Sequence, residues 1–170
     1  MPLIGTKNNI DLYNNLLKNL IPKKIHLYVE PFGGEFGLFE IMKNKPDFSV
    51  YNDMNTELYE EMKNRYFTSD HTIYFFNKDY KEVIQNYNVE STFFFFDPPY
   101  YRREHYYENH TFLTKEHHIE LSEIIKGLKG KFLLSYQDRP LMRELYKDYN
   151  FHEYTGSNMF HIPEIAITNY

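Results

Sequence analysis

The sequence predicts an α/β fold with a mostly parallel sheet of about seven strands and helices on both faces. Short apolar runs alternate along the chain with stretches whose apolar residues recur at helical spacing. Four consecutive phenylalanines, at 93–96, are typical of a strand that is buried on both faces. Because the chain has no internal repeat and no long linker, we expect one domain over residues 1–170.

Each element is assigned from its local pattern. The apolar runs predict strands, in chain order, at 27–32, 48–51, 72–76, 93–96 and 132–136, with a closing pair at 151–154 and 165–170. Helical spacing predicts helices at 12–20, 57–66, 81–87, 115–128 and 141–149. A further helix is expected to begin near Phe36, after the first strand.

Length and composition exclude several classes of protein. A chain of 170 residues has room for one sizeable core. The absence of cysteine excludes disulfides, thiolate zinc sites and cysteine nucleophiles, and favours a cytoplasmic location. No apolar stretch approaches the roughly 20 residues that span a bilayer, so we expect no membrane association. With a formal net charge of −5, contacts with nucleic acid must be local.

Unusual residues follow three predicted strands at their carboxyl ends, where open α/β sheets bind ligands. They are residues 30–37, 52–53 and 97–100. Gly33 and Gly34, which we call the glycine turn, would let the backbone approach a ligand closely. Two glycines at this point are also common in turns that bind nothing.

An acidic residue strengthens the case for a ligand. Asp53 lies 19 positions after Gly34, close to the spacing of about 20 at which an acidic side chain accepts hydrogen bonds from ribose hydroxyls. The glycine turn and Asp53 together indicate a ligand that contains adenosine. The alternative is that Asp53 is a turn or N-cap residue in front of a helix over 54–66.

Asp97-Pro98-Pro99-Tyr100, here called the DPPY segment, is the most specific feature of the sequence. The two prolines lack a backbone N–H and restrict the chain, so we expect their carbonyls and the Asp97 side chain to point into the crevice as acceptors. The alternative is a loop stiffened by proline, with Asp97 as a helix N-cap.

These features resemble the Dam-like DNA adenine-N6 methyltransferases, particularly their compact phage and prophage members. The resemblance extends over nearly the whole chain, through segments in the order of the family: 4–7, 28–34, 50–55, 77–83, 97–100, 130–138 and 164–170. It implies a Rossmann-like, class I methyltransferase fold with an antiparallel strand near the C-terminus. The implied reaction is methyl transfer from S-adenosylmethionine (SAM) to the N6 amino group of adenine in DNA.

The chemistry of adenine explains the residue types of the DPPY segment. The amino nitrogen is a poor nucleophile because its lone pair is shared with the ring. By the resemblance, Asp97 and the Pro98 carbonyl would each accept one amino hydrogen and aim the lone pair at the methyl group. Tyr100 would stack on the base after it has been flipped out of the duplex. The catalytic residues implied are Asp97, Pro98, Pro99 and Tyr100.

The resemblance also implies the residues that bind the cofactor and DNA. Those implied for SAM are Lys7, Glu30, Pro31, Phe32, Gly33, Gly34, Asp53, Met54, Asp79 and Asp97. Lys7 would contact the methionine carboxylate, or it is simply a solvated lysine. Those implied for DNA are Tyr100, Arg102, Arg103, Tyr106 and Tyr107, because this basic and aromatic loop suits phosphates and bases. The alternative for the loop is a solvated surface segment.

No metal site is expected. The histidines, including His117 and His118, lie at no spacing typical of metal ligands, and we interpret them as helix or surface residues.

Two departures from the family pattern affect these expectations. Phe36 occupies a position near which many relatives have a small residue, and this is tolerable only if its ring points away from the cofactor. Dam-type members insert a target-recognition domain, or at least a helical segment, where this chain has only residues 56–71. That stretch is enough for one helix and a turn.

Three functional hypotheses remain open at this stage. The first is a DNA adenine methyltransferase of low or unusual specificity. The second is a methyltransferase for an RNA base or a protein glutamine. The third is a non-catalytic cofactor-binding subunit or scaffold, whose partner supplies DNA recognition. An intact DPPY segment favours the first two, whereas the missing recognition segment favours the third, or a second protein or homodimer that assists the first.

Overall fold

The computed structural model describes residues 16–100, 114–154 and 163–170. Its sheet has seven strands: β1 Leu27–Glu30, β2 Phe48–Asn52, β3 Ile73–Phe76, β4 Thr92–Phe96, β5 Lys131–Gln137, β6 Asn150–Tyr154 and β7 Glu164–Thr168. The spatial order is β3-β2-β1-β4-β5-β7-β6. Strands β1 to β5 are parallel, and β7 lies antiparallel between β5 and β6. The predicted fold class is confirmed.

The strand order reverses between β1 and β4. β1 pairs with β2 on one side and with β4 on the other, with Val29 opposite Phe94. The chain connections leave these two neighbours in opposite directions, which opens a crevice beyond their carboxyl ends. The glycine turn follows β1 and the DPPY segment follows β4, so both lie at this switch point.

Helices cover both faces of the sheet. Among the described residues they are α1 Lys18–Leu20, α2 Gly37–Ile41, α3 Thr56–Arg65, α4 Tyr80–Tyr87, α5 Lys115–Lys126 and α6 Pro140–Leu145. Side-chain caps define the beginnings of α3 and α4. The Asn55 side chain accepts from the Leu58 amide at 3.1 Å, and the Asp79 side chain accepts from the Lys81 amide at 2.8 Å. Pro140 begins α6, a position where its missing N–H has no cost.

The four phenylalanines of β4 divide between two cores. Phe94 and Phe96 pack with residues of α4, α5 and α6, whereas Phe93 and Phe95 pack with residues of α2 and α3. All four are at most 3% exposed. The prediction that this strand is buried on both faces is confirmed, and the strand holds the DPPY segment on a rigid base.

Several predicted bounds were wrong for identifiable reasons. β1 ends at Glu30 rather than at 32, because Pro31 has no N–H to continue the ladder. β7 ends at Thr168. Beyond it the Asn169 side chain makes the hydrogen bonds: it accepts from the Phe132 amide and donates to the Gly130 carbonyl, both at 3.0 Å. Only Lys18–Leu20 of the first predicted helix is α-helical within the described part of the chain.

Candidate functional site at the switch point

The carboxyl end of β2 fixes the glycine turn. The Gly34 amide donates to Asp53 Oδ2 at 3.0 Å, and the Tyr51 hydroxyl donates to the Gly34 carbonyl at 2.8 Å. The Gly33 amide donates to the Asn52 carbonyl at 2.7 Å. Tyr51, Asn52 and Asp53, at the end of β2, thus hydrogen-bond to both glycines. The backbone of the glycine turn is therefore ordered without a ligand.

Asp53 is therefore a turn residue, as the alternative interpretation held, but it is not a helix N-cap. Its Oδ1 accepts from the Asn55 amide at 2.8 Å, and Asn55 caps α3. Asp53 is 8% exposed, and its two carboxylate oxygens accept from the Gly34 and Asn55 amides. Its contact with a ribose stays a prediction.

Asn52 joins three strand ends. Its side chain is fully buried; Nδ2 donates to the carbonyls of Pro31 at 2.9 Å and Lys78 at 3.0 Å, and Oδ1 accepts from Lys78 N at 3.0 Å. The loops after β1 and β3 are thus tied to the end of β2. Sequence reasoning placed Asn52 at the crevice but assigned it no role.

The two glycines differ in what surrounds them. A Cβ on Gly33 would lie 2.3 Å from Tyr51 Cε2, whereas a Cβ on Gly34 would meet no atom of the described residues within 4 Å. Gly34 has φ +51°, a conformation that side chains disfavour. Among the described residues the space beside Gly34 is open, and Met54, which follows Asp53, is 50% exposed. These features fit an adenosyl cofactor against the turn.

Phe36 turns its ring away from this space. Its backbone is left-handed, with φ 58° and ψ 34°, which is uncommon for a bulky residue. The ring is fully buried, stacked on Phe39 at a centroid distance of 4.4 Å and edge-on to Tyr51 at 5.3 Å. The strained backbone puts the aromatic side chain into the core, so Phe36 does not obstruct a cofactor at the glycine turn.

Glu30 is a buried acid below the turn. It is 2% exposed and accepts a hydrogen bond from the Tyr28 hydroxyl. Burial raises the pKa of Glu30 well above its usual range, the nearby Asp97 charge raises it further, and hydrogen bonds from Tyr28 and the Phe39 amide partly oppose this. Because β1 and β4 are neighbouring parallel strands, Glu30 at the end of β1 and Asp97 after β4 lie on the two sides of the switch point.

We expect Glu30→Gln to flatten the pH dependence of stability. The folded chain holds the Glu30 proton more tightly than the unfolded chain, so its stabilisation is complete below the ordinary glutamate pKa of about 4.3 and is lost as pH rises toward the folded pKa. Glutamine keeps the size and is neutral throughout. In urea unfolding between about pH 5 and pH 8, the free energy of unfolding of the variant should increase relative to that of the wild type as pH rises. The exposed Glu57→Gln controls for loss of charge, and a Glu30→Gln curve parallel to wild type would contradict the prediction.

The DPPY segment is mostly buried. Asp97 is half-buried, and Pro98, Pro99 and Tyr100 are buried. The Tyr136 hydroxyl lies 3.4 Å from the Pro99 carbonyl oxygen, inside the protein. The expectation that both proline carbonyls face the crevice is therefore wrong for Pro99, because its carbonyl points toward β5.

Tyr100 packs inward as well. Its ring is 6% exposed and lies 5.4 Å from the Tyr136 ring centroid, tilted by 31°. A ring this buried presents little surface to a base, so stacking requires a rearrangement around Tyr100. Its role in base stacking stays a prediction.

Phe32 and Asp79 lie on the α4 side of the crevice. The Phe32 ring is 4.8 Å from the Tyr80 ring, and Asp79 caps α4 through the Lys81 amide. Phe32 follows β1 at the switch point, whereas Asp79 follows the edge strand β3, and the contact of either residue with a cofactor stays a prediction.

Five predicted binding residues lie outside the described residues: Lys7, Arg102, Arg103, Tyr106 and Tyr107. Within the described ranges, the side chains form no group of three or more His or acidic residues able to hold a metal. No described helix is long and apolar enough to cross a membrane.

Sequence reasoning assigned no role to four residues that organise the site: Tyr51, Asn52, His118 and Tyr136. His118 lies on a helix, as predicted, and is only 1% exposed. Its position was detectable in principle, since Leu121 and Ile125 follow it at the spacing of one helical face.

Comparison with known proteins identifies the family. Residues 60–160 match the model of the D12 class N6 adenine-specific DNA methyltransferases, which is more than half of the chain. The chain belongs to this family. The Dam-like resemblance predicted from the motifs is therefore confirmed. The D12 methyltransferases are SAM-dependent, which confirms the predicted cofactor.

Solved structures support the same fold at low identity. SMU.1697c of Streptococcus mutans, in complex with SAH, has TM-score 0.63 and 8% identity, over 95% of this chain and 97% of that one. yhhF of Escherichia coli has TM-score 0.61 and 12% identity, over 94% and 84%. Magnesium protoporphyrin IX methyltransferase of Synechocystis PCC 6803, with bound SAM, has TM-score 0.59 and 10% identity, over 94% and 77%. No curated protein sequence matches the chain. At these identities the likeness shows the methyltransferase fold of this D12 family member and no more.

Proposed function

We propose that this D12 family member transfers a methyl group from SAM to the N6 amino group of adenine in DNA, as one domain without a separate target-recognition domain. One observation carries the proposal. The glycine turn after β1 and Asp97 after β4 follow two adjacent parallel strands at the point where the strand order reverses, and among the described residues the space beside Gly34 is open. An acceptor for an amino group and room for a methyl donor thus lie at the same crevice.

The chain's own residues prepare the amino group. The Asp97 carboxylate and the Pro98 carbonyl accept its two hydrogens, which favours a pyramidal nitrogen with a directed lone pair. When bound, SAM supplies a sulfonium-activated methyl group. Bound SAM would donate the methyl group and keep the carbon–sulfur electron pair, and the Asp97 carboxylate would take the proton that the amino nitrogen loses.

The residues at the end of β2 bind the adenosyl part of the cofactor in this proposal. The glycine turn offers its open face at Gly34, Asp53 accepts from ribose hydroxyls, and half-exposed Met54 covers the adenine. The preset turn supports this assignment, because a backbone already fixed by Asp53 and Tyr51 loses little entropy on binding.

Recognition of DNA requires more than the described surface. Between Asp53 and Asn77 the structure has only α3, a turn and β3, so no recognition segment lies there. The acidic net charge of −5 also disfavours a broad DNA surface. We therefore propose that a second protein or another copy of the chain contributes to target selection, with Arg102, Arg103, Tyr106 and Tyr107 contacting DNA near the extruded base.

Incubation with methyl-labelled SAM and separate DNA, RNA and protein substrates tests the proposal. We expect label on N6-methyladenine after nucleoside analysis of DNA, measured with the chain alone and at rising protein concentration. Label on protein glutamine or only on RNA would overturn the DNA assignment. Cofactor binding without transfer to any substrate would indicate a non-catalytic subunit.

We expect Asp53→Ala to weaken SAM binding by about 10- to 100-fold, since a hydrogen bond to a charged group contributes about 1.5–3 kcal/mol. Isothermal titration calorimetry measures the change. Tyr51→Phe is the matched control, because it removes the other side-chain bond to the glycine turn without removing a ribose acceptor. Equal losses in the two variants would mean that Asp53 acts only by holding the turn.

A further inference from the structure

A buried polar pair lies behind the DPPY segment. Tyr136 is near the end of β5 and is 1% exposed. Its hydroxyl is 3.4 Å from the Pro99 carbonyl oxygen, and its ring is 5.4 Å from the Tyr100 ring centroid. One side chain of the neighbouring strand therefore touches two consecutive residues of the segment.

His118 on α5 contacts the same hydroxyl. It is 1% exposed, its Nδ1 is hydrogen-bonded to Tyr136 Oη, and the two rings meet edge to face at 5.5 Å and 75°. The Tyr136 hydroxyl has one proton. If that proton is donated to the Pro99 carbonyl, the hydrogen on the other side must come from His118 Nδ1–H. In this direction each of the two hydrogen bonds, from His118 to Tyr136 and from Tyr136 to Pro99, has one donor hydrogen.

The DPPY segment needs an anchor of this kind. Pro98 and Pro99 have no N–H, so this backbone can be held only through its carbonyls. The Pro99 carbonyl is the one that Tyr136 reaches. Fixing that peptide unit also restricts the preceding one, which carries the Pro98 carbonyl.

We propose that His118 and Tyr136 are positioning residues for methyl transfer. His118 Nδ1–H orients the Tyr136 hydroxyl, which holds the Pro99 carbonyl inward so that Asp97 and the Pro98 carbonyl face the amino group of the base. The inference rests on the proposed function. Because misplacement by about 1 Å at a catalytic group costs on the order of 10²-fold in rate, loss of one long hydrogen bond is expected to cost about tenfold.

Steady-state kinetics of Tyr136→Phe test the proposal, with Tyr146→Phe as control. Both changes delete one hydroxyl from a tyrosine in the same core cluster, and both residues are 1% exposed. We expect kcat on DNA to fall about tenfold in Tyr136→Phe, with SAM affinity and Tm close to wild type. Tyr146→Phe should keep the wild-type kcat. An unchanged kcat in Tyr136→Phe, or a loss equal to that of the control, would overturn the inference.

Two His118 variants separate hydrogen bonding from packing. The Nδ2 amide of His118→Asn can stand where Nδ1 stood and donate to Tyr136, whereas His118→Leu fills the space without a donor. We expect asparagine to retain most of kcat and leucine to lose as much as Tyr136→Phe. Equal kcat in the two variants would show that a donor at this position is not needed.

A measurement without substrate distinguishes failure of this inference from failure of the proposed function. ¹⁵N NMR of histidine-labelled protein should show His118 with its proton on Nδ1, and Tyr136→Phe should shift that signal. A His118 that carries its proton only on Nε2 would overturn the hydrogen-bond direction, even in a chain that methylates nothing. An expected NMR result with no methyl transfer by wild type would refute the proposed function, and with it the catalytic purpose of the pair.

Discussion

Asp97→Ala is expected to abolish methyl transfer to adenine, with a loss of about 10³-fold or more in kcat, comparable to removal of a strong transition-state contact. The carboxylate is the charged acceptor of the DPPY segment, and charge-assisted hydrogen bonds are about twice as strong as neutral ones. Two other acidic residues of the crevice, Glu30 and Asp53, are not expected to replace it. Burial raises the pKa of Glu30 and favours its neutral form, and Asp53 is engaged with the glycine turn.

The kcat at saturating SAM and DNA measures this loss, with cofactor affinity determined separately by calorimetry. Asp97→Asn keeps one acceptor oxygen without the charge, so its activity should lie between wild type and alanine. Asp70→Ala, at an exposed turn before β3, controls for general effects of losing an aspartate. Transfer by Asp97→Ala within tenfold of wild type would remove Asp97 from the catalytic role.

The sheet was predictable because its strands have strong local signals. Four phenylalanines in a row cannot be amphipathic, so β4 had to be covered on both faces, as it is. The DPPY segment and the glycine turn were found for the same reason. The backbone preferences of proline and glycine are local, so they can be recognised from the sequence without tertiary contacts. The family resemblance supplied the fold class and the antiparallel strand near the C-terminus, whereas the strand order was not predicted and comes from the structure.

Other features depend on contacts between distant parts of the chain. The left-handed backbone of Phe36 is set by the space between Phe39 and Tyr51, and no local rule favours it. The inward Pro99 carbonyl depends on Tyr136, 37 positions later. A single sequence assigns residues to a strand end, but it does not show which neighbouring strand supplies their hydrogen-bond partners.

Gly33→Ala is expected to lower the free energy of unfolding by about 1–3 kcal/mol, the usual cost of overpacking. The new methyl group would lie 2.3–2.9 Å from three atoms of the Tyr51 ring. The ring has little freedom to retreat, since it packs edge-on to Phe36 and 5.5 Å from Phe75, and its hydroxyl is bonded to Gly34. Urea denaturation measures the loss. In a Tyr51→Leu background, Gly33→Ala should lower the free energy of unfolding by less than it does in the wild type.

Gly34→Ala makes a contrasting case at the neighbouring position. Its methyl group meets no atom of the described residues within 4 Å, so the cost is the left-handed backbone at φ +51°, about 1–2 kcal/mol, and Tyr51→Leu should not relieve it. A bulkier Gly34→Val fills the open space directly and should lose SAM binding at temperatures where the chain is still folded. If Gly34→Val binds SAM as wild type does, the cofactor does not lie against the glycine turn, and the enzymatic interpretation of the crevice fails with it.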